Sequence, residues 1–351
     1  MSYDLSIKNK IYSRCTVIIL SYERHEFLKR AISYWSKINI KVLIIHHSKK
    51  KLSIEIPNNI TYKKFNRSYL KRIELASKLI KTKYCFLAAD DDFYLFKEIQ
   101  KSINFFEKNQ SYKSYFGQVL SFYYKNKKRF YLQNYKNINS NNMSSKNVYE
   151  RLGKFGKNYA PSSIYAVTRT ADWISNWKNV CSCAMNIAGE HEILYEMYSI
   201  ISGKRKIHKR VCLIRSNEHG TLRSGDKSIE GINLAYYWRN NLLNKSNLVS
   251  NIVKNSNVSL TSKNIFHFFE DYTNIKNTNE NLTNIKKYIR EKLSNINIFY
   301  NLFSYYNISN GNKFRDLENS DLFFKKHNLL IDIEDMKIVN ETIESFNKTE
   351  Y

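Results

Sequence analysis

The chain has 351 residues, enough to bury a full core, and one large domain plus a smaller one is the default for that length. Lys and Arg exceed Asp and Glu by 26. That excess points to an anionic partner such as nucleic acid, an acidic membrane surface or a phosphorylated substrate, although abundant Lys, Asn, Ile and Tyr with scarce Pro and Gly also mark a biased codon pool. Five cysteines, an odd number, argue against a disulfide framework and for a reducing compartment. Met1 to Arg14 is too polar for a signal peptide, and no apolar run approaches the ~20 residues of a membrane span, so a cytoplasmic protein is expected.

Cys15-Thr16-Val17-Ile18-Ile19-Leu20 is an apolar, largely β-branched run, the pattern of a strand buried on both faces. Ser21-Tyr22-Glu23-Arg24 follows as a loop, and Phe27, Leu28, Ala31, Ile32 and Trp35 then recur at helical spacing. Val42-Leu43-Ile44-Ile45 is a second buried strand ending in His46-His47-Ser48, which completes a βαβ unit. A short strand is predicted at Ile60-Thr61-Tyr62, and a helix from Ser68 with Leu70, Ile73, Ala76, Leu79 and Ile80 inward. Tyr84 to Ala89 is a third core strand, broken by Asp90-Asp91-Asp92. An amphipathic helix carries Ile99, Ile103 and Phe106, and Tyr115–Tyr124 and Arg129–Leu132 read as paired strands around a basic turn. Asn134 to Ser145 reads as a mobile loop, Ser162 to Thr168 as a strand, and Trp173 with Trp177 as the start of a helix. Glu190 to Ile201 is a strong helix closed by Gly203, and Val211 to Ile214 a last short strand, followed by Arg215 and His219. Beyond about Gly231 the chain turns helical, polar and rich in Asn and Lys, which predicts a boundary between regions 1–230 and 231–351.

Three consecutive carboxylates at the end of a buried strand repel one another, and a hard cation or charged ligand would remove that cost. In open α/β sheets the ligand crevice lies outside the carboxyl ends of the strands. The bland alternative is a solvated acidic turn that caps the next helix. On a helical projection Glu190 shares the face of Ile193, Leu194, Met197, Ile200 and Ile201, while Glu192 points nearly opposite, to solvent or a neighbouring loop. Glu190 is therefore the carboxylate expected to look inward, where the helix dipole favours its ionised form and burial opposes it, and it reads as a general base. Arg215 and His219 are placed to hold a departing diphosphate, or are ordinary surface residues. Lys49-Lys50-Lys51 and the Lys204–Arg210 cluster read as solvated charge or as a membrane- or polyanion-facing surface. His46 and His47 should point to opposite sides of their strand. No nucleic-acid-binding module signature is present, so no nucleic-acid partner is expected.

Thr16-Val17-Ile18-Ile19-Leu20-Ser21-Tyr22-Glu23-Arg24, Leu87-Ala88-Ala89-Asp90-Asp91-Asp92, Gly189-Glu190-His191-Glu192-Ile193 and Arg215 with His219 arrive in an order that resembles family 2-like inverting glycosyltransferases of the GT-A fold. The likeness covers roughly residues 15–225. It implies an α/β fold with a GT-A-type, Rossmann-like mixed sheet flanked by helices, and a helical C-terminal region. It also implies roles: Tyr22 against the nucleobase, Arg24, Asp91 and Arg72 at the nucleotide, Asp90 on the ribose or metal, and Asp92 on a divalent ion, Mg or Mn. Glu190 would deprotonate the acceptor hydroxyl, and Arg215 with His219 would face the leaving diphosphate. Three positions depart from the family pattern. Glu23 stands where Asn or Asp is usual, His46-His47-Ser48 replaces the acidic end of the second strand, and the base is Glu rather than the commoner Asp.

The expectation is a metal-dependent glycosyltransferase that moves a sugar from a nucleotide-sugar donor to a glycan or lipid-linked acceptor, in surface polysaccharide or glycoconjugate synthesis, peripheral to an anionic membrane. The alternatives are a sugar nucleotidyltransferase, disfavoured by the lack of a Gly-rich basic loop at the first strand, and a non-enzymatic basic protein that binds nucleic acid or anionic membrane.

Overall fold

Val17 and Ile19 face one hydrophobic core and Ile18, between them, faces a second, so the first strand is buried on both sides as its uninterrupted apolar run requires. The structure, a computed structural model, describes residues 13–125, 128–183, 189–218, 242–256, 260–271, 311–315 and 317–347. Its elements through the first sheet and beyond are β1 (Cys15–Tyr22), α1 (His25–Ser36), β2 (Lys41–His47), β3 (Ile60–Lys64), α2 (Tyr69–Leu79), β4 (Tyr84–Ala88), β5 (Phe93–Tyr94) and α3 (Phe96–Lys108). There follow β6 (Tyr112–Lys125), β7 (Lys128–Asn134), α4 (Val148–Lys157), β8 (Thr168–Arg169), α5 (Thr170–Cys183), α6 (Glu190–Ser202) and β9 (Lys204–Ser216). The C-terminal part contributes α7 (Leu242–Asn255), α8 (262–271), α9 (Asp321–His327) and α10 (Ile333–Asn347).

Two sheets form. The first has five strands in the order β3-β2-β1-β4-β8, all parallel except β8. Leu28, Ala31, Ile32 and Trp35 of α1 pack into one core and Ile73 and Ala76 of α2 into the other. The chain therefore moves from β1 to β2 on one face, then returns on the opposite face to place β4 on the other side of β1. The carboxyl ends of β1 and β4 diverge at this switch point, where ligands of such sheets bind. The second sheet runs β5-β9-β6-β7, with β6 parallel to β9. Gly117 lies at a register shift between them, where a Cβ would stand 2.2 Å from the Arg210 carbonyl oxygen. The fold is the expected mixed α/β arrangement flanked by helices.

Several expectations need correction. Residues 162–167 are not a strand: the Ser162 and Ile164 N–H groups donate to the Glu196 carboxylate at 2.8 and 2.9 Å, which removes them from any ladder, and only Thr168 and Arg169 pair with β4. The segment after Asn134 is not an extended surface loop: it holds a 3₁₀ turn at Ile138–Asn141, both of those ends buried, and Met143 is bridged to Arg205. The last strand is not four residues but thirteen, and it absorbs the basic cluster before it.

The C-terminal helices divide between the two cores. Leu248, Val249, Ile252, Ile265, Phe268 and Phe269 join the core of α5 and α6, while Phe323, Met336, Val339 and Ile343 join that of α1 and α3. The boundary expected near Gly231 lies outside the described residues. No helix among the described residues is long and apolar enough to cross a membrane.

Candidate active site at the carboxyl ends of the strands

β1 and β4 deliver their next residues into one crevice. The Ser21 hydroxyl donates to Asp90 Oδ2 at 2.6 Å, and Arg24 Nη1 meets Asp90 Oδ1 at 2.9 Å while its Nη2 pairs with Asp91. β5 then pairs antiparallel with β9, Phe93 opposite Ile214, so Asp92 comes to stand beside Arg215. Arg215 Nε lies 3.4 Å from Asp92 Oδ2, and the Ser216 N–H donates to Asp92 Oδ1 at 3.4 Å. Asp90 and Asp92 are almost fully buried. Burial, reinforced by mutual repulsion and opposed by Arg24 and Arg215, raises the pKa of both Asp90 and Asp92 above the usual carboxylate range. The arginines thus offset the negative charge only in part. Carboxylate oxygens are the donors a hard divalent cation takes. Among the described residues no group of three or more His, Cys, Asp or Glu could hold such an ion, so two aspartates would need phosphate oxygens or water to complete its shell.

Arg215 joins this acid turn to a second set of residues. Its Nη1 donates to the Tyr135 hydroxyl, and its guanidinium lies over the Tyr165 ring at 4.7 Å. Tyr165 in turn reaches Glu192, whose negative charge acts on the same guanidinium. The Tyr159 hydroxyl donates to Glu192 Oε1 at 2.5 Å and the Tyr165 hydroxyl to Oε2 at 3.4 Å. Burial raises the Glu192 pKa, against the Tyr159 hydrogen bond and the Arg215 charge, which lower it.

Of the two directions the helical projection allowed Glu192, the structure takes the neighbouring loop: its carboxylate meets Tyr159 and Tyr165 rather than solvent. Glu190 is fully buried, near Cys183 at the end of α5. Glu190 looks inward as the projection expects, and every residue from Glu190 to Ile201 except Glu192 is buried; what the projection left out is that the loop beside Glu192 carries Tyr165, over which Arg215 lies. Glu196, one turn beyond Glu192, pairs with Arg205 at 2.5 Å and holds the 162–164 backbone that leads into Tyr165.

At the end of β2, the Tyr22 and His47 rings lie 4.5 Å apart. Arg72 is buried and donates to the Ser21 carbonyl oxygen at 2.8 Å, with its guanidinium 6.0 Å from the Tyr22 ring centre. His46 turns the other way, its Nδ1 3.0 Å from the Tyr62 hydroxyl, and burial lowers its pKa to about 4. Glu23, at φ +54°, reaches across the strand ends and accepts from the Ser48 hydroxyl at 3.0 Å and the Lys49 N–H at 2.8 Å. Glu23 thus places a carboxylate at the end of β2, beside Ser48.

The Lys204–Arg210 cluster is not one exposed basic surface. Arg205 is buried on Glu196, and Arg210 Nε meets the buried Glu98 at 2.5 Å. Lys49, Lys50 and Lys51 are exposed. His219 lies outside the described residues. Tyr135, Tyr159 and Tyr165 were not legible as site residues; the only signal was the density of tyrosines between the paired strands and α6.

No protein-family model and no curated protein matches the sequence. Among solved structures, residues 1–349 of S. aureus TarS, a glycosyltransferase, in complex with UDP-GlcNAc share the fold at a TM-score of 0.50 and 9% identity, over 74% of this chain and 71% of that one. A second structure of the same fragment gives 0.49 at 9% identity over 74% and 70%. A longer TarS structure gives 0.44 at 9% identity over 74% and 43%. At that identity the likeness speaks for the fold.

Proposed function

We propose that this protein is a glycosyltransferase that binds a nucleotide-sugar in the β1–β4 crevice and transfers the sugar to an acceptor hydroxyl with inversion. One observation carries the reading: Asp90 and Asp92, Arg215 and Glu192, distant in sequence, are brought together at the carboxyl ends of the strands, Arg215 beside Asp92 and linked to Glu192 through Tyr165. The UDP-GlcNAc in the TarS structure supports a donor of the nucleotide-sugar class.

Glu192, not Glu190, is the general base in this proposal. Its raised pKa brings it toward the working range of a base, and Tyr159 and Tyr165 hold its carboxylate in one orientation. Glu192 takes the acceptor proton on one side of the anomeric carbon, while the diphosphate leaves on the side of Asp92 and Arg215. Arg215 then has the charge to stabilise the departing oxygens. Asp92 with Asp90 would hold Mg or Mn against the donor phosphates, and such an ion supplies neutralisation of the charge that grows on the leaving group. Tyr22 and His47, with Glu23 and Ser48 beside them, lie where the nucleoside would sit, with Arg72 beneath Tyr22. The acceptor is a glycan or lipid-linked hydroxyl of a surface glycoconjugate. The exposed Lys49, Lys50 and Lys51 support contact with an anionic membrane face.

The test is thermal stabilisation by a panel of nucleotide-sugars with and without Mn2+, followed by assay of the released nucleotide. Metal-dependent stabilisation and release of nucleoside diphosphate are expected. Release of inorganic diphosphate would point to nucleotidyl transfer, and no stabilisation by any nucleotide-sugar would sink the reading.

A further inference from the structure

Every carboxylate of the acid triplet already meets a guanidinium. Arg24 bridges Asp90 and Asp91, and Arg215 stands beside Asp92. Two positive charges face three negative ones, so a dication arriving alone meets resident cations as well as ligands. The two arginines are not held alike. Arg24 Nη1 is 2.9 Å from Asp90, an ordinary charge-assisted contact. Arg215 Nε is 3.4 Å from Asp92, longer than the roughly 2.7–2.9 Å of such bonds.

Arg215 is steadied from elsewhere. Its Nη1 donates to the Tyr135 hydroxyl, and its guanidinium lies over Tyr165. Tyr135 itself stands at φ +48°, a conformation that costs a bulky side chain energy, with its N–H held by the Asn134 side chain at 2.9 Å. That backbone aims the phenol at Arg215 from outside the acid turn.

Resting on the donor and metal reading above, we infer that Arg215 is a resident counter-ion of Asp92 that passes to the donor's diphosphate, so that a divalent cation and a nucleoside diphosphate bind cooperatively. A diphosphate offers the guanidinium a bidentate partner that one long carboxylate contact does not. When Arg215 turns to it, Asp92 loses its counter-ion as the phosphates bring a cation that needs Asp92 as a ligand. Without nucleotide, repulsion between the cation and Arg215 keeps the metal weakly bound. Tyr135 is the positioning residue of this exchange, since its hydroxyl sets where Arg215 rests.

Mn2+ binding to the full chain, followed by electron paramagnetic resonance, tests the exchange, alone and with saturating UDP or GDP. The chain is expected to bind Mn2+ at least about tenfold more tightly with a nucleoside diphosphate than without. Arg215→Gln is expected to bind Mn2+ alone at least about tenfold more tightly than the unchanged chain and to lose the gain from nucleotide. Arg215→Lys, which keeps the charge, is expected to stay weak with metal alone. Tyr135→Phe is expected to lessen the gain from nucleotide. Equal Mn2+ affinity with and without nucleotide in the unchanged chain overturns the inference. So does an Arg215→Gln variant that melts and folds normally yet binds Mn2+ alone no more tightly, or an Arg215→Lys variant that behaves like Arg215→Gln. Absence of Mn2+ binding under every condition, nucleotide included, removes the metal reading itself, and the exchange with it.

Discussion

The Tyr159 hydroxyl donates a 2.5 Å hydrogen bond to Glu192, and the Tyr165 hydroxyl reaches the other oxygen of the same carboxylate at 3.4 Å. A loop residue that follows α4 thus fixes the direction of an acid in the first turn of α6, and the proposed choice of Glu192 over Glu190 as the base rests on that direction.

Glu192→Gln is expected to retain the fold and donor affinity while turnover falls by about 10²–10⁴-fold, the usual cost of losing a general base. Glu190→Gln should stay within a few-fold of the unchanged chain. Donor affinity has to be measured apart from turnover, because lost binding imitates a lost base. Near-normal turnover in Glu192→Gln with a collapse in Glu190→Gln would reverse the assignment.

Tyr159→Phe changes the pH dependence. The phenol stabilises the ionised carboxylate, so its removal raises the Glu192 pKa further above the ordinary value. Less base is then ionised at a given pH, and the acid limb of the kcat/KM profile should move to higher pH. An unmoved limb would mean that another group titrates in that profile.

Glu196 and Arg205 are both buried and 2.5 Å apart, and Glu196 also takes two backbone N–H groups of the 162–164 segment. Arg205→Met leaves a buried carboxylate without its counter-ion and is expected to cost about 3–5 kcal/mol in urea unfolding. Adding Glu196→Gln should recover part of that loss. Strict additivity of the two changes would show that the ion pair is not coupled.

Asp335, at the start of α10, accepts from the Lys97 N–H of α3 at 2.8 Å and lies near Asp332 and Glu98. Burial pushes it up to about 6, against the Lys97 N–H and ammonium. The folded state therefore binds a proton more tightly than the unfolded chain, and stability falls as pH rises from about 4 to about 6, with the full penalty present above that. Asp335→Asn keeps an acceptor for Lys97 and removes the penalty, so it should raise stability at about pH 7.5 by roughly 1–2 kcal/mol and help less at about pH 5. An equal loss of stability at both pH values would show that the charge is net stabilising.

The sequence by itself determined the sheet and the position of its acids. Cys15–Leu20, Val42–Ile45 and Tyr84–Ala89 are apolar runs of strand length, and burial on both faces is the arrangement that removes such runs from water. The abrupt change to Asp90-Asp91-Asp92 marked a strand end, because carboxylates cannot continue into an apolar core without cost. Only the tertiary structure decided what the acids meet. Asp92 and Arg215 are 123 residues apart, and a two-residue antiparallel register between β5 and β9 brings them together. No local pattern encodes so short a pairing. What Glu192 meets was equally out of reach. The helical wheel places Glu190 inward and Glu192 toward solvent or a neighbouring loop, but a wheel carries no information on which loop arrives; Tyr159 and Tyr165, contributed by the segment after α4, decide it.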